Sequence, residues 1–548
     1  MKRFYALMAL VLCTGLLYGL YGCAQSSSTI NAPAPKSAAF NAKTCFECHP
    51  EVNDLWSSGK HKDNLNCLDC HSNTDEHINS PDVKPITDVD PANCGRCHLN
   101  QFASFFKVNL KKPARVEKSL LTERSPNPAW DKLMMGHGFT KEHNAPRSHA
   151  YMLVDHLMVD RSYGGRFQSK DGWLYTTADT PVKTWDLIQD MYPGNNEHKA
   201  FLPESAAAAN PTCLQCKSSD NILNWKYMGD KDASAKWDRS SNVVDVAKSL
   251  QNVVGCIQCH DPHAAKPRIV RDGLIQALTR PEADTLWHKD PKHTNINVID
   301  FRDFRKIAVL EKYDAKLQCG QCHVEYNCNP GYDSKTGEKI GFADIRTNHF
   351  PFKDVFQIYD HYNSLGFRDF KHTLTGGLLF KAQHPETEVF WNSKHDKAGV
   401  SCNDCHMPKM TALDGTVFTS HWQTSPRNYI KETCLKCHKD LTEEEAIYTI
   451  DSVKAHIRGK MRKAEFWLGS LIDKIVEAKK LGVNEQAIKD AQEQHQKAHI
   501  LWEWWTAENS DGFHNPEEAR ESLTRSVEES QKGIELLTKA ISEIKNEK

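Results

Sequence analysis

Apolar and polar positions form their clearest patterns at the two ends of the chain. Lys2 and Arg3 precede an apolar run from Phe4 to about Tyr21, too short and too soon polar for a membrane span. That layout predicts an export signal over residues 1–24. The end of the run, Leu20-Tyr21-Gly22-Cys23, resembles a lipobox with Cys23 as the lipidated residue, and plain cleavage after Ala24 is the other open reading. The Ser/Ala/Pro-rich stretch Ser26–Ala39 predicts a flexible leader over 25–40. At the far end, Asp451–Leu481 is rich in helix formers, breaks at Gly482-Val483 and resumes over Glu485–Glu508. A last helix opens on Asn515 as cap, Pro516 at the first position and Glu517 and Glu518 in the first turn. Leu523, Val527, Ile534, Leu537, Ile541 and Ile544 then recur at helical spacing. Long amphipathic helices are thus expected across 446–548, lying over the core or against a partner subunit. The rest reads as loops and short helices with little β, so the fold class is mainly α.

Composition sharpens this picture in one respect. A formal net charge of −2 leaves no basic excess for nucleic acid, and 13 Trp, 15 Tyr and 22 Phe argue against a disordered chain. The unusual counts are 19 Cys and 27 His. Thiols in such number call for an oxidising compartment, a metal or covalent attachment.

The cysteines resolve into a repeated motif. Seven C-x-x-C-H runs occur: Cys45-Cys48-His49, Cys67-Cys70-His71, Cys94-Cys97-His98, Cys256-Cys259-His260, Cys319-Cys322-His323, Cys402-Cys405-His406 and Cys434-Cys437-His438. An eighth run ends in lysine, Cys213-Cys216-Lys217. C-x-x-C-H is the attachment signature of heme c, in which two thiols bind the macrocycle and the histidine binds iron. Eight covalent hemes are therefore expected, replacing side chains as the core of a multiheme cytochrome c. Twenty of the 27 histidines lie outside the motifs, enough to give each iron a second imidazole. The motifs are irregularly spaced, so the chain is not a repeat array. Three lie close together in an N-terminal domain over 41–130, and five are spread through a catalytic domain over 131–445.

Lys217 marks the place for chemistry. An amine binds iron only when deprotonated, which burial beside a metal favours. A changed axial ligand on one heme of eight suggests that this iron keeps its other face open for substrate.

Longer segments around these motifs resemble a known family. From about His143 to His514 the chain is similar to the pentaheme, ammonia-forming cytochrome c nitrite reductases, with one C-x-x-C-K heme followed by four C-x-x-C-H hemes. The matching stretches are Cys319-Gly-Gln-Cys-His-Val-Glu-Tyr326, Lys381-Ala-Gln-His-Pro-Glu386, Gly512-Phe-His-Asn-Pro516 and Ala145-Pro-Arg-Ser-His149, where Ser148 departs from the family's glycine. The three extra N-terminal motifs match the octaheme nitrite reductases instead.

The resemblance implies a site. Lys217 would be the proximal ligand of the active heme, with Arg161, Tyr326 and His384 on its distal face to bind nitrite and supply protons. Glu325, the Tyr326 and Lys381 carbonyls and the Gln383 side chain would hold calcium, using the oxygen donors that ion prefers. His149, His421, His395 and His514 would ligate the hemes at Cys319, Cys256, Cys434 and Cys402. For the first three hemes the nearest spare candidates are His61, His77, His137 and His143. Cys328, which the pentaheme pattern lacks, would form a thioether with Tyr326, as in the octaheme enzymes. The implied activity is six-electron reduction of nitrite to ammonium, with hydroxylamine and sulfite as further substrates. It would run in the periplasm in a homo-oligomer fed by a quinol-linked or cytochrome donor. An octaheme tetrathionate reductase shares a lysine-ligated heme, but the Lys381–Glu386 segment favours nitrite. A hydroxylamine oxidoreductase would carry C-x-x-C-H at its catalytic heme. A pure electron carrier would have every iron saturated by protein.

Overall fold

The structure, a computed structural model, describes residues 41–107, 130–137, 148–159, 168–169, 188–189 and 210–546. The expected signal with Cys23, the leader, His143 and Arg161 lie outside the described residues. Helix dominates, as the pattern predicts, and many connections are loops and single turns. No described helix is long and apolar enough to cross a membrane.

The N-terminal motifs sit on short helices and turns around α1, Pro50–Ser58. His49 precedes α1, and Pro50 occupies its first turn, where a missing N–H costs nothing. Further on lies a four-stranded antiparallel sheet of β1 (His260–Asp261), β2 (Lys266–Ile269), β3 (Ile296–Phe301) and β4 (Arg305–Leu310), in the order β1-β2-β4-β3. β3 and β4 pair from Ile296 opposite Leu310 to Phe301 opposite Arg305. Arg302 and Asp303 turn this hairpin with φ of 56° and 61°.

Both faces of β4 are buried, so its residues alternate between two cores. Ala308 and Leu310 join Leu274 and Ile275 of α2, Asp272–Leu278, in a cluster that also holds Cys213, Tyr326 and Cys328. Ile307 and Val309 join Ile257 and Val270, together with Leu55 of α1 and Val89 from the N-terminal segment. The N-terminal motifs therefore share a hydrophobic core with the sheet.

Three long helices close the chain: α3 (Glu443–Leu481), α4 (Glu485–Ala507) and α5 (Pro516–Asn546). α3 begins eight residues before the expected Asp451. Thr442 and Glu445 form a reciprocal capping box there, and the first turn is Glu443-Glu444-Glu445. It ends at Gly482, whose φ of 76° suits glycine. The Asn484 side chain accepts from Ala487 N–H to cap α4. Met461, Leu468 and Ile472 of α3, Trp502, Trp504 and Trp505 of α4, and Leu523 and Val527 of α5 form one core with Tyr362, Phe380 and Val389. The Trp502 indole N–H donates to buried Glu465 at 3.3 Å.

Candidate active site

Each of the seven motif histidines faces a second imidazole. The ring-centre separations are 6.0 Å for His49–His77, 6.4 Å for His61–His98 and 6.4 Å for His71–His263. They are 6.1 Å for His149–His323 and 6.4 Å for His260–His421. They are 6.3 Å for His395–His438 and 6.2 Å for His406–His514. A metal–imidazole bond of about 2 Å on each side, with about 1 Å more from nitrogen to ring centre, gives about 6 Å for two imidazoles on one metal ion. The pairs fit an iron between them.

Protons are arranged to match. The Nδ1 atoms of His61, His77, His406 and His421 lie 2.7, 2.8, 2.9 and 2.9 Å from the carbonyls of Pro262, Val83, Thr424 and Thr419. A carbonyl only accepts, so each Nδ1 carries the proton and each Nε2 keeps its lone pair for a metal. Burial, with His323 and Lys217 alongside, pushes His149 down to about 3, so this ring stays neutral.

His149, His421, His395 and His514 stand beside the motif histidines that the family resemblance names for them. At the N-terminal hemes the geometry differs from the expected candidates. His61 and His77 face motif rings, but His137 does not: it is fully buried with Nε2 2.5 Å from the Glu503 carboxylate, itself 3.0 Å from His499. The third partner is His263, missed although it stands three residues after a motif histidine in Cys256-Ile-Gln-Cys-His-Asp-Pro-His263.

The eighth motif is the most enclosed. Cys213 and Cys216 are buried on and after the turn Pro211–Leu214, which Asn210 caps by accepting from Cys213 N–H. Its neighbours come from far along the chain. The Cys216 thiol lies within hydrogen-bonding reach of Cys322, and Cys213 within reach of Cys328. Tyr326 belongs to the same buried cluster as Cys213 and Cys328, and its ring lies 6.4 Å from His384 and 5.5 Å from Phe350. Burial and the surrounding thiols push the Tyr326 hydroxyl far above its ordinary range, so it keeps its proton. Lys217, partly buried, is close enough to act electrostatically on His149 and His323.

Arg271 is a further residue of this region that no motif marks. It is 1% exposed, with its guanidinium 5.6 Å from the Tyr326 ring centre and 5.1 Å from that of Phe350. None of its three side-chain nitrogens has a hydrogen-bond acceptor, although Asp272 lies 3.7 Å away. A buried guanidinium without acceptors calls for an anion beside it, and a heme carboxylate would be a fitting one.

Glu325 is fully buried next to this site. Its carboxylate accepts from the Tyr362 hydroxyl at 2.8 Å and from Gln383 N–H at 2.6 Å, and burial followed by nearby Glu388 and Asp369 raises it well above the carboxylate range. Gln383 and Lys381 are buried beside it, and the Gln383 amide nitrogen has no acceptor. Among the described residues no cluster of three or more His, Cys, Asp and Glu forms a further metal site. The expected donors include one carboxylate only, so carbonyl oxygens would complete the set.

Residues 185–547 match the cytochrome c552 family. The chain belongs to that family. Residues 44–120 separately match the cytochrome c554 and c-prime family, so the N-terminal motifs have their own relatives. The chain is 29% identical over 443 residues to the cytochrome c nitrite reductase subunit NrfA of Nitratidesulfovibrio vulgaris, spanning 76% of this chain and 70% of that protein. It is also 29% identical over 410 residues to cytochrome c-552 of Haemophilus influenzae, spanning 71% of this chain and 63% of that protein, just under two thirds of its length. The solved cytochrome c nitrite reductase of Desulfovibrio desulfuricans, described for its two calcium sites, shares the fold with a TM-score of 0.58. That likeness is 23% identical and covers 83% of this chain and 87% of the other.

Proposed function

We propose that this member of the cytochrome c552 family is an octaheme, ammonia-forming nitrite reductase whose active heme is attached at Cys213 and Cys216 and ligated by Lys217. One observation carries the reading. The seven other motifs each meet a second imidazole at iron-spanning distance, whereas around the eighth gather Tyr326, His384 and Cys328 from the segments that resemble the nitrite reductases.

The hemes supply electrons and, at the Lys217 iron, a coordination position for nitrite. Arg161 holds the anion by its fixed charge. The Tyr326 hydroxyl, kept protonated by burial, donates a hydrogen bond to bound oxygen, and the His384 imidazole passes protons from outside. Nitrite with six electrons and eight protons becomes ammonium and two waters. Arg271 lies against the Tyr326 ring and would pair with a heme carboxylate, a charge that would also steady the ring. Glu325, the Tyr326 and Lys381 carbonyls and the Gln383 side chain would hold calcium, which would fix the two segments that carry Tyr326 and His384. The same anion site accepts hydroxylamine and sulfite.

The motif cysteines sketch the electron path. Cys45 neighbours Cys67, Cys94 neighbours Cys256, Cys319 neighbours Cys402 and Cys216 neighbours Cys322, so hemes attached at these cysteines would lie close together and the active heme would branch from the Cys319 heme. A quinol-linked or cytochrome donor feeds this path in the periplasm, and the enzyme works as a homo-oligomer. The test is turnover with reduced viologen, scoring nitrite lost against ammonium formed. Equal amounts support the reading. Nitrite left intact, or consumed without ammonium, overturns it.

A further inference from the structure

Besides the shared core, the N-terminal and catalytic motifs meet at a short turn. Between β1 and β2 the chain runs Asp261-Pro262-His263-Ala264-Ala265, and Asp261 ties it together. The Asp261 carboxylate accepts from the N–H groups of His263 at 3.0 Å and Ala264 at 2.7 Å. Its other oxygen accepts from buried Arg268 at 2.8 Å. The turn is therefore rigid, and it aims the His263 ring across to the N-terminal segment. There it stacks 6.4 Å from His71 at an interplanar angle of 10°. The same turn offers the Pro262 carbonyl to His61 Nδ1 at 2.7 Å.

We infer that the heme attached at Cys67 and Cys70 takes its second iron ligand from His263, so that a coordinate bond joins the N-terminal heme cluster to the catalytic part. The separation of 6.4 Å falls within the 6.0–6.4 Å span of the other six facing pairs. The anchoring by Asp261 explains how a loop histidine reaches it with fixed geometry. His260, three residues earlier, faces His421, so this short stretch would supply ligands to two irons. Asp261 acts as a positioning residue, since it touches the backbone of the ligand and not the iron. The three-heme segment is then no detachable carrier. It is fastened to the rest of the molecule through a metal, and Cys94 and Cys256 neighbour each other across the same two parts of the chain.

This inference rests on covalent heme attachment and not on nitrite chemistry, so the two fail separately. The experiment is paramagnetic resonance and redox titration of the fully loaded protein and its variants. His263→Ala should convert about one heme per chain from low-spin to high-spin, and added imidazole should restore it. His263→Met keeps six ligands, so that heme should stay low-spin while its potential rises. His288→Ala, a histidine facing no motif ring, should change neither reading and serves as the control. Wild-type spectra and potentials in both His263 variants would overturn the assignment. Should the alanine variant not accumulate, the methionine variant alone decides: an unshifted titration rejects the ligand.

Discussion

Gly59 meets the backbone of His263 so closely that a β-carbon on it would stand 2.3 Å from the His263 carbonyl oxygen. This contact seats the end of α1 on the turn between β1 and β2. Neither side is a flexible side chain, so neither yields easily. Gly59→Ala should therefore cost about 1–3 kcal/mol, the usual range for overpacking. The measurement is thermal unfolding with limited proteolysis. A melting temperature and cleavage pattern equal to wild type would mean that the backbone at this contact yields and that it does not limit the seating of α1 on the turn.

His384 should matter to chemistry more than to folding. Its ring lies beside Tyr326 in the pocket of the eighth motif. His384→Asn should lower ammonium formation on the order of 100-fold or more, in line with the loss of a general acid, with heme content unchanged. Full turnover in the variant would take His384 out of the site.

Cys328 and Tyr326 should be found covalently joined. Both are buried in the cluster that holds Cys213, two positions apart in one segment. In extended chain such positions face the same side. The thioether forms with two hydrogens lost to an oxidant, so peptide mass spectrometry should show a deficit of two hydrogens and no alkylation of Cys328. A peptide of unmodified mass whose Cys328 alkylates fully after denaturation and reduction would rule the bond out.

Glu518 should make stability depend on pH. Burial, with Asp354 and Glu521 nearby, pushes its carboxyl up to about 8. The unfolded chain releases that proton near its ordinary value of about 4.3, so folding grows costlier as pH rises from there towards 8. Glu518→Gln removes the ionisation, and its Tm should exceed that of wild type at pH 8 but not at pH 4. An identical shift at both pH values would place the effect elsewhere than in the carboxyl.

Chemistry carried by contiguous residues was legible in the sequence. Heme attachment needs two cysteines and a ligand within five positions, so every such site can be read directly. The closing helices were legible too, because Leu523 and Val527 mark a buried stripe and Gly482 a stop. The start of α3 was misjudged because Thr442 and Glu445 precede the apolar pattern and act through a cap. The β3–β4 hairpin gives no turn signal, since Arg302 and Asp303 adopt left-handed angles usually taken by Asn and Gly. Distal ligands are the hardest case. Sequence context alone does not separate His263, which faces the His71 ring, from His137, which ends in the core on Glu503; the fold does.

The pairing of His71 with His263 also sets a timetable. A chain made from its N-terminus delivers His61 and His77 together with the irons they face. His263 arrives only after a long intervening stretch, so the Cys67 heme waits with one side open while other histidines emerge near it. A wrong imidazole captured during that wait would have to dissociate before the turn at Asp261 could dock. Loop closure over so long a span is slow, and among the ligands of the three N-terminal motifs His263 is the last to arrive, so it governs when that segment is finished.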